Sequence, residues 1–421
     1  MTISIIGDVD HNRLYCTGSF TKMLTTFVCL SVLAERHQLN MILDDDNFLD
    51  SICDNPESKS FLHHFQSLIG SRFTIRDICT YYTGLPYTFD LSSTELAAVE
   101  KGLPLKHHSI LDEKTFLDRC HNNISVLYQN RCKFHYSELS IIFLGYLIEK
   151  ICGIKIEDLY QRYLISKFQL TSSLFSRELP ERADAKDLSP YYDYPSIAIQ
   201  NHGYFCYSNG FYTTLYDHKI LIENLLNETI FNIMTSTKHA RASSNRLMNG
   251  LTIELRLVKN DLIFGYEGLS FSGCNIWAYS TQKKQGYITT IDSEEDAYDV
   301  IYGKLGYQEF DKVPDHTEID YHRFISHHQY HLMDKLIPDA FVGNYHRVNI
   351  NESTLDIVFS VGSNFIIIRN PDEIKYDVVC MKDSFYIRGK DGIHAGKVGL
   401  HKSDSGNHYM MFDGTLYKRI T

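Results

Sequence analysis

Thr17–Ala34 reads TGSFTKMLTTFVCLSVLA and places Ser19 and Lys22 three residues apart at the mouth of an apolar helix. Three residues is nearly one helical turn, so the hydroxyl and the amine share a face and come within reach of one another. Ser19 also falls where the first helical N–H groups and the positive end of the macrodipole favour developing negative charge. Behind it Met23, Leu24, Phe27, Val28, Leu30 and Leu33 make the helix apolar nearly all round, the mark of a buried central helix. Burial disfavours the charged form of an amine, so Lys22 is expected to lose proton affinity and to act on Ser19 as a neutral general base. The competing reading is a serine N-cap followed by a solvent-facing lysine.

The 421 residues exceed one ordinary domain, and 43% hydrophobic content is enough for a real core, so two domains are expected. A formal charge of -11 with no Lys/Arg run argues against a nucleic-acid partner, which needs a concentrated basic face. The ten cysteines show no C-x-x-C spacing, and several sit in apolar runs, which argues against a disulfide framework or a zinc site. No basic stretch precedes the first apolar run, and runs such as 23–34 and 141–148 are shorter than the ~20 residues of a membrane span. The expectation is a cytoplasmic protein in a reducing compartment, with no membrane span, no metal and no cofactor.

Along the chain, residues 2–6 and 13–16 read as short strands, and the Ser19 helix is expected to close near Asn40. Residues 43–59 read as loop, 73–80 as a short helix, and 95–100 and 112–122 as helices. The segment 134–153, FHYSELSIIFLGYLIEKICG, is a second apolar helix that starts at Ser137 and Glu138 and stops at Gly153. A helix over 157–168, a loop over 176–200 above a cleft, and a helix from Thr214 follow; from 249 to 292 β-type runs dominate. Helices between strands at both ends imply one sheet in an α+β domain, residues 1–307. Residues 308–337, with His316, His322, His327, His328 and His331 at irregular spacing, read as a linker. Eight short alternating runs over 338–421 read as a small antiparallel barrel or sandwich.

Five segments in order make the chain recognisable. GSFTKMLTTFVCLSVLAERHQLNMILDDD resembles the nucleophile helix of the serine β-lactamase and penicillin-binding-protein superfamily with its S-x-x-K signature. FTIRDICTYYTGLPY is similar to that family's TIRD…SGLP segment, and FHYSELSIIFLGYLIEKICGIKIEDL to its Y-S-N helix. GYFCYSNGFYTTLYDHKIL resembles its glycine turn with the helix that follows, and FGYEGLSFSGCNIWAY occupies the place of its glycine-rich strand. The resemblance implies a β-lactamase/DD-peptidase-like fold, an antiparallel sheet flanked by helices with a helical subdomain, and the C-terminal runs resemble a lipocalin-like module. It also implies Ser19 as the acylated nucleophile, Lys22 as its base and Tyr136 as the group that shuttles the proton to the leaving atom. A phenol beside an ammonium can trade a proton with it. The Ser19 N–H would supply half an oxyanion hole, with its partner near Leu269 to Phe271.

Three features depart from the family pattern. Glu138 stands where penicillin-recognising enzymes have Asn, and Tyr266, Glu267 and Gly268 replace the K-T-G or H-x-G strand, removing the cation that would hold a β-lactam carboxylate. Glu138, Tyr266, Glu267, Gly268 and Leu269 are therefore the expected substrate-contacting residues, and efficient β-lactam hydrolysis is not expected. Only 18 residues precede Ser19, so the sheet is expected to lack an edge element or to have that edge covered by the C-terminal module. The leading expectation is a serine hydrolase acting on a small ester, amide or peptide. The alternatives are an acyltransferase, or a binding or sensor protein that keeps the fold without turnover.

Overall fold

The computed structural model describes residues 2–7, 11–89, 113–124, 134–177, 203–242, 248–258, 261–270, 273–291, 301, 303–305 and eight strands beyond residue 342. In chain order the first elements are β1 (Thr2–Ile5), β2 (Tyr15–Cys16), α1 (Phe20–Ala34), α2 (Leu39–Ile42), α3 (Phe48–Ile52), α4 (Pro56–Ile69), α5 (Ile75–Cys79) and α6 (Glu113–Asn122). Next come α7 (Glu138–Cys152), α8 (Ile156–Tyr160), β3 (Leu174–Phe175), α9 (Cys206–Asn209), β4 (Phe211–Thr213), α10 (Leu215–Leu225) and α11 (Thr229–Met234). Strands β5 (Arg241–Ala242), β6 (Met248–Asn249), β7 (Glu254–Val258), β8 (Asp261–Ser270), β9 (Gly273–Ser280) and β10 (Gln285–Ile291) complete the part that carries the site.

Local chemistry explains where these helices start and stop. Ser137 caps α7 by accepting a hydrogen bond from the Ser140 N–H at 3.1 Å, and Gly153 ends it in the left-handed region at φ 67. At α5, Thr74 and Asp77 form a reciprocal capping box. The loop expected over 43–59 is corrected: it holds α3 and the start of α4. Asn55 accepts from the Ser58 N–H at 2.8 Å, Pro56 opens α4, and Phe61, Leu62, Phe65 and Ile69 form its buried stripe. The polar residues of its first turn mask that periodicity in the sequence. The Ser19 helix stops at Ala34 rather than near Asn40, where the short α2 takes over. The helix expected over 157–168 is α8 followed by a π-helical turn, Gln161–Ile165.

The sheet runs in the order β1-β10-β9-β8-β7-β6-β5. Its pairs are antiparallel except β1 with β10, which is parallel, Ile3 lying opposite Gly286. The expectation of a purely antiparallel sheet is thus corrected to a mixed one: no hairpin joins β1 to β10, so nothing ties their directions. The expectation of a missing edge element is corrected as well, because β1 is that edge strand. A smaller sheet, β2-β4-β3, lies at the start of α1.

The chain divides into one unit of Met1–Pro86 with His107–Thr317 and another of Tyr87–Lys106 with Glu318–Thr421. In the second unit, β11 (Gly343–Arg347), β12 (Ile357–Val361), β13 (Phe365–Asn370), β14 (Asp372–Met381), β15 (Ser384–Arg388), β16 (Lys397–Lys402), β17 (His408–Phe412) and β18 (Thr415–Ile420) pair antiparallel in sequence. β18 returns to β11. The helix expected over 95–100, most of the cleft loop and the histidine-rich 308–337 lie outside the described residues. No described helix is long and apolar enough to cross a membrane.

Candidate active site

Two sheets grip the turn that presents Ser19. From β4, the Phe211 carbonyl accepts from the Thr17 N–H at 3.0 Å and from Thr17 Oγ1 at 2.9 Å, while the Phe211 N–H donates to Thr21 Oγ1 at 3.2 Å. From the main sheet, Asn275 Nδ2 donates to the Thr17 carbonyl at 3.0 Å and Ser270 Oγ to the Cys16 carbonyl at 2.8 Å. Gly268 of β8 is obligatory at this approach, because a Cβ there would lie 1.9 Å from the Thr17 oxygen. Ser19 is the N-cap residue of α1, but its side chain makes no capping bond. Its Oγ instead accepts from Lys22 Nζ at 2.8 Å.

Lys22 is fully buried, which rules out the solvent-facing reading. Its ammonium also meets Glu138 Oε1 at 3.2 Å and the Tyr136 side chain, whose ring centroid is 5.1 Å away. The expectation that Lys22 loses proton affinity is corrected. Burial does push in that direction, but the charges of Tyr136 and Glu138 and their hydrogen bonds outweigh it, so its pKa is raised. The contact set agrees: Ser19, Tyr136 and Glu138 offer three acceptors to the three N–H bonds of an ammonium.

Tyr136 lies half-buried just before α7, and its ring packs 5.0 Å from that of Tyr81. Tyr266 of β8 is hydrogen-bonded to Tyr136, and its hydroxyl lies 3.1 Å from that of Tyr81. Burial, then Tyr136, then Tyr81 push the Tyr266 phenol well up, so it is neutral. Where the family pattern has a cation, this chain has a neutral donor. Glu138, expected to face substrate, is buried against Lys22, and Asn209 Nδ2 donates to the same Oε1 at 3.1 Å. Glu267 is half-buried one residue along from Tyr266, and Leu269 continues β8 opposite Cys274. Of the stretch expected to complete the oxyanion hole, Leu269 is in β8 and Phe271 is outside the described residues.

Sequence reading misses Tyr81, Asn209, Ser270 and Asn275. Asn209 is within sight of it: YSN at 207–209 immediately precedes Gly210 in the segment that resembles the family's glycine turn. Tyr81, at φ 60 beyond α5, gives no such signal. Among the described residues no three His, Cys, Asp or Glu side chains form a metal-binding group, and no disulfide joins the described cysteines.

Comparison with known proteins places this geometry. The family model described as Beta-lactamase matches residues 6–291. Among solved structures, a penicillin binding protein from Bacillus halodurans aligns with a TM-score of 0.51 at 19% identity, over 70% of this chain and 87% of its own. The octameric penicillin-binding protein homologue from Pyrococcus abyssi aligns with a TM-score of 0.50 at 13% identity, over 97% of this chain and 89% of its own. No curated protein matches. The match spans the Ser19 helix, the segment that carries Tyr136 and strands β2 to β10, and the chain belongs to the Beta-lactamase family.

Proposed function

We propose that the chain is a serine hydrolase that forms an acyl-enzyme on Ser19, with Lys22 and Tyr136 as the proton-transfer groups, and acts on a small ester, amide or peptide. The observation that carries this reading is the 2.8 Å contact between Lys22 Nζ and Ser19 Oγ, made by a fully buried lysine that also touches Tyr136. A structural serine cap needs none of these partners. In acylation the Oγ–carbon bond forms, the carbonyl electron pair moves onto oxygen, and the N-terminus of α1 faces that charge. The proton lost by Ser19 is returned to the leaving atom, and water then releases the acyl group.

With Tyr266 at the place of the family cation, and Lys22 already paired with Glu138, the site favours uncharged acyl groups over those carrying a carboxylate. Labelling by a fluorophosphonate, absent in Ser19→Ala, tests the nucleophile, and chromogenic esters of rising chain length test the acyl pocket. Nitrocefin turnover is expected to fall at least about 100-fold below the best ester, the loss of one charge-assisted contact being ~2–3 kcal/mol. Comparable turnover would remove the argument from Tyr266. Glu138 against Lys22 also gives the sensor reading a foothold, since it differs from the family pattern at the proton-transfer pair. An adduct formed on Ser19 that persists for hours without turnover of any ester would favour the sensor. Residues 338–421 are proposed as an accessory β module, because all of these groups lie before it.

A further inference from the structure

We propose that Asn275, seconded by Ser270, is a positioning residue for the oxyanion. Its buried amide ties the turn that carries Ser19 to strand β8 and so sets the gap that the negative oxygen of the tetrahedral intermediate must fit. This rests on the acyl-enzyme reading above. Asn275 is fully buried, and its Nδ2 donates to two backbone carbonyls, that of Thr17 at 3.0 Å and that of Gly268 at 2.8 Å. The first belongs to the turn that leads into Ser19; the second lies in β8, next to the stretch expected to complete the oxyanion hole. Two carbonyl oxygens brought to one place repel each other, and the two N–H bonds between them turn that repulsion into a bond on each side. The approach is close: a Cβ on Gly268 would lie 1.9 Å from the Thr17 oxygen and 2.8 Å from Asn275 Nδ2.

The other end of the amide shows what the residue is there for. Asn275 Oδ1 is buried without a hydrogen-bond partner, a cost that an apolar side chain of the same shape would avoid. What such a side chain lacks is the pair of donors. Ser270 makes a parallel tie, its Oγ donating to the Cys16 carbonyl at 2.8 Å. On the β8 side, β7 pairs only from Asp261 to Gly265, while β9 follows β8 to Ser270. From Tyr266 onward β8 therefore keeps one edge that β7 does not pair, with N–H groups the ladder leaves unused. On the other side of the gap, the Ser19 N–H has no hydrogen-bond acceptor among the described residues. As Ser19 Oγ bonds to the carbonyl carbon, the carbonyl electron pair moves onto oxygen, and it returns when the bond to the leaving atom breaks. Asn275 touches no reacting atom and exchanges no proton; it acts through the spacing of the two backbone segments, where a displacement of about 1 Å is worth about 100-fold in rate.

The test is rapid-mixing acylation of the full chain by p-nitrophenyl acetate, which separates binding (Ks) from the acylation step (k2), for wild type and Asn275→Leu. The second readout is inhibition by 2,2,2-trifluoroacetophenone, whose adduct with Ser19 carries an oxyanion. In Asn275→Leu, k2 should fall about 10- to 100-fold with Ks within about threefold of wild type, and the ketone should weaken by the same factor as k2. A purely structural role predicts a lower urea midpoint with k2 and ketone affinity unmoved in the folded variant, and that result overturns the proposal. If Asn275→Leu does not fold, Ser270→Ala, which loosens the same joint more gently, should lower k2 and ketone affinity together by about two- to tenfold. Acylation by Ser270→Ala at the wild-type rate would then overturn it. Wild type that forms neither adduct refutes the acyl-enzyme reading and this proposal with it, whereas wild type that forms both, beside a variant equal to it in k2, refutes the proposal alone.

Discussion

Ser19 is half-buried and gives its side chain to Lys22 rather than to the helix backbone. Ser19→Ala should therefore abolish fluorophosphonate labelling while shifting stability by less than about 1 kcal/mol, measured by urea unfolding. Lys22→Ala is a different case, since it strips the partner from a buried carboxylate. A loss of about 3–5 kcal/mol in stability is expected together with the loss of acylation, and adding Glu138→Gln should recover much of the stability but none of the labelling. A second buried group makes the fold acid-sensitive. His218 is fully buried, hydrogen-bonded through Nδ1 to the Tyr15 hydroxyl and packed 4.2 Å from the Phe20 ring, and burial lowers its pKa to about 3. Between the ordinary histidine value near 6.5 and about 3 the unfolded chain binds the extra proton, so stability falls as pH drops through that window. The stability read from urea unfolding should decline from pH 7 to pH 4 by about 3 kcal/mol, each pH unit below the ordinary value being worth ~1.4 kcal/mol. In His218→Gln the decline should be much smaller, and an unchanged decline would place the acid sensitivity elsewhere.

At the level of elements, the site depends on how strands and short helices brace two long apolar helices. The capping box of α5 is tied to β5 by the Arg241–Asp77 ion pair at 2.6 Å, and the residues beyond α5 deliver Tyr81 to Tyr266. Thr74→Ala should cost about 1–2 kcal/mol, read from thermal or urea unfolding, with labelling of Ser19 preserved at temperatures where the variant is folded. Gly268→Ala is expected to be more damaging. Its methyl would meet backbone, not a movable side chain, so β8 or the Ser19 turn must shift. The expected outcome is a slower acylation rate even where the protein remains folded; a variant that labels at the wild-type rate would show that the turn tolerates the displacement.

For the whole molecule, the chain up to Thr317 contains every group assigned to the chemistry. A protein ending there is expected to remain folded by circular dichroism and to label at Ser19 with a rate within about threefold of the full chain, ~0.7 kcal/mol. An unfolded product would instead make the C-terminal strands part of the hydrolase fold. The mixed sheet favours the first outcome, because its outer strand β1 comes from residues 2–5 and not from the C-terminal strands. Residues 2–5 thus supply the strand that lies at this edge of the sheet.

The sequence alone determined the two apolar helices, the serine–lysine spacing, the capping of α7 and the identity of the family, because each is encoded within a few neighbouring residues. A three-residue spacing fixes a shared helical face, and a Ser-Glu start with a glycine stop delimits a helix whatever surrounds it. What only the tertiary structure decided is the charge state of Lys22 and the company it keeps. Burial and countercharge act on it in opposite directions, and their balance depends on Glu138, 116 residues away, lying 3.2 Å from Nζ. The same holds for Tyr81 and Asn275, whose residue types are common and whose places in the chain carry no local signature of a site. They join the site through the crossing of α1, α7 and the sheet, and the direction of β1 beside β10 likewise follows from how the chain returns through space rather than from any local pattern.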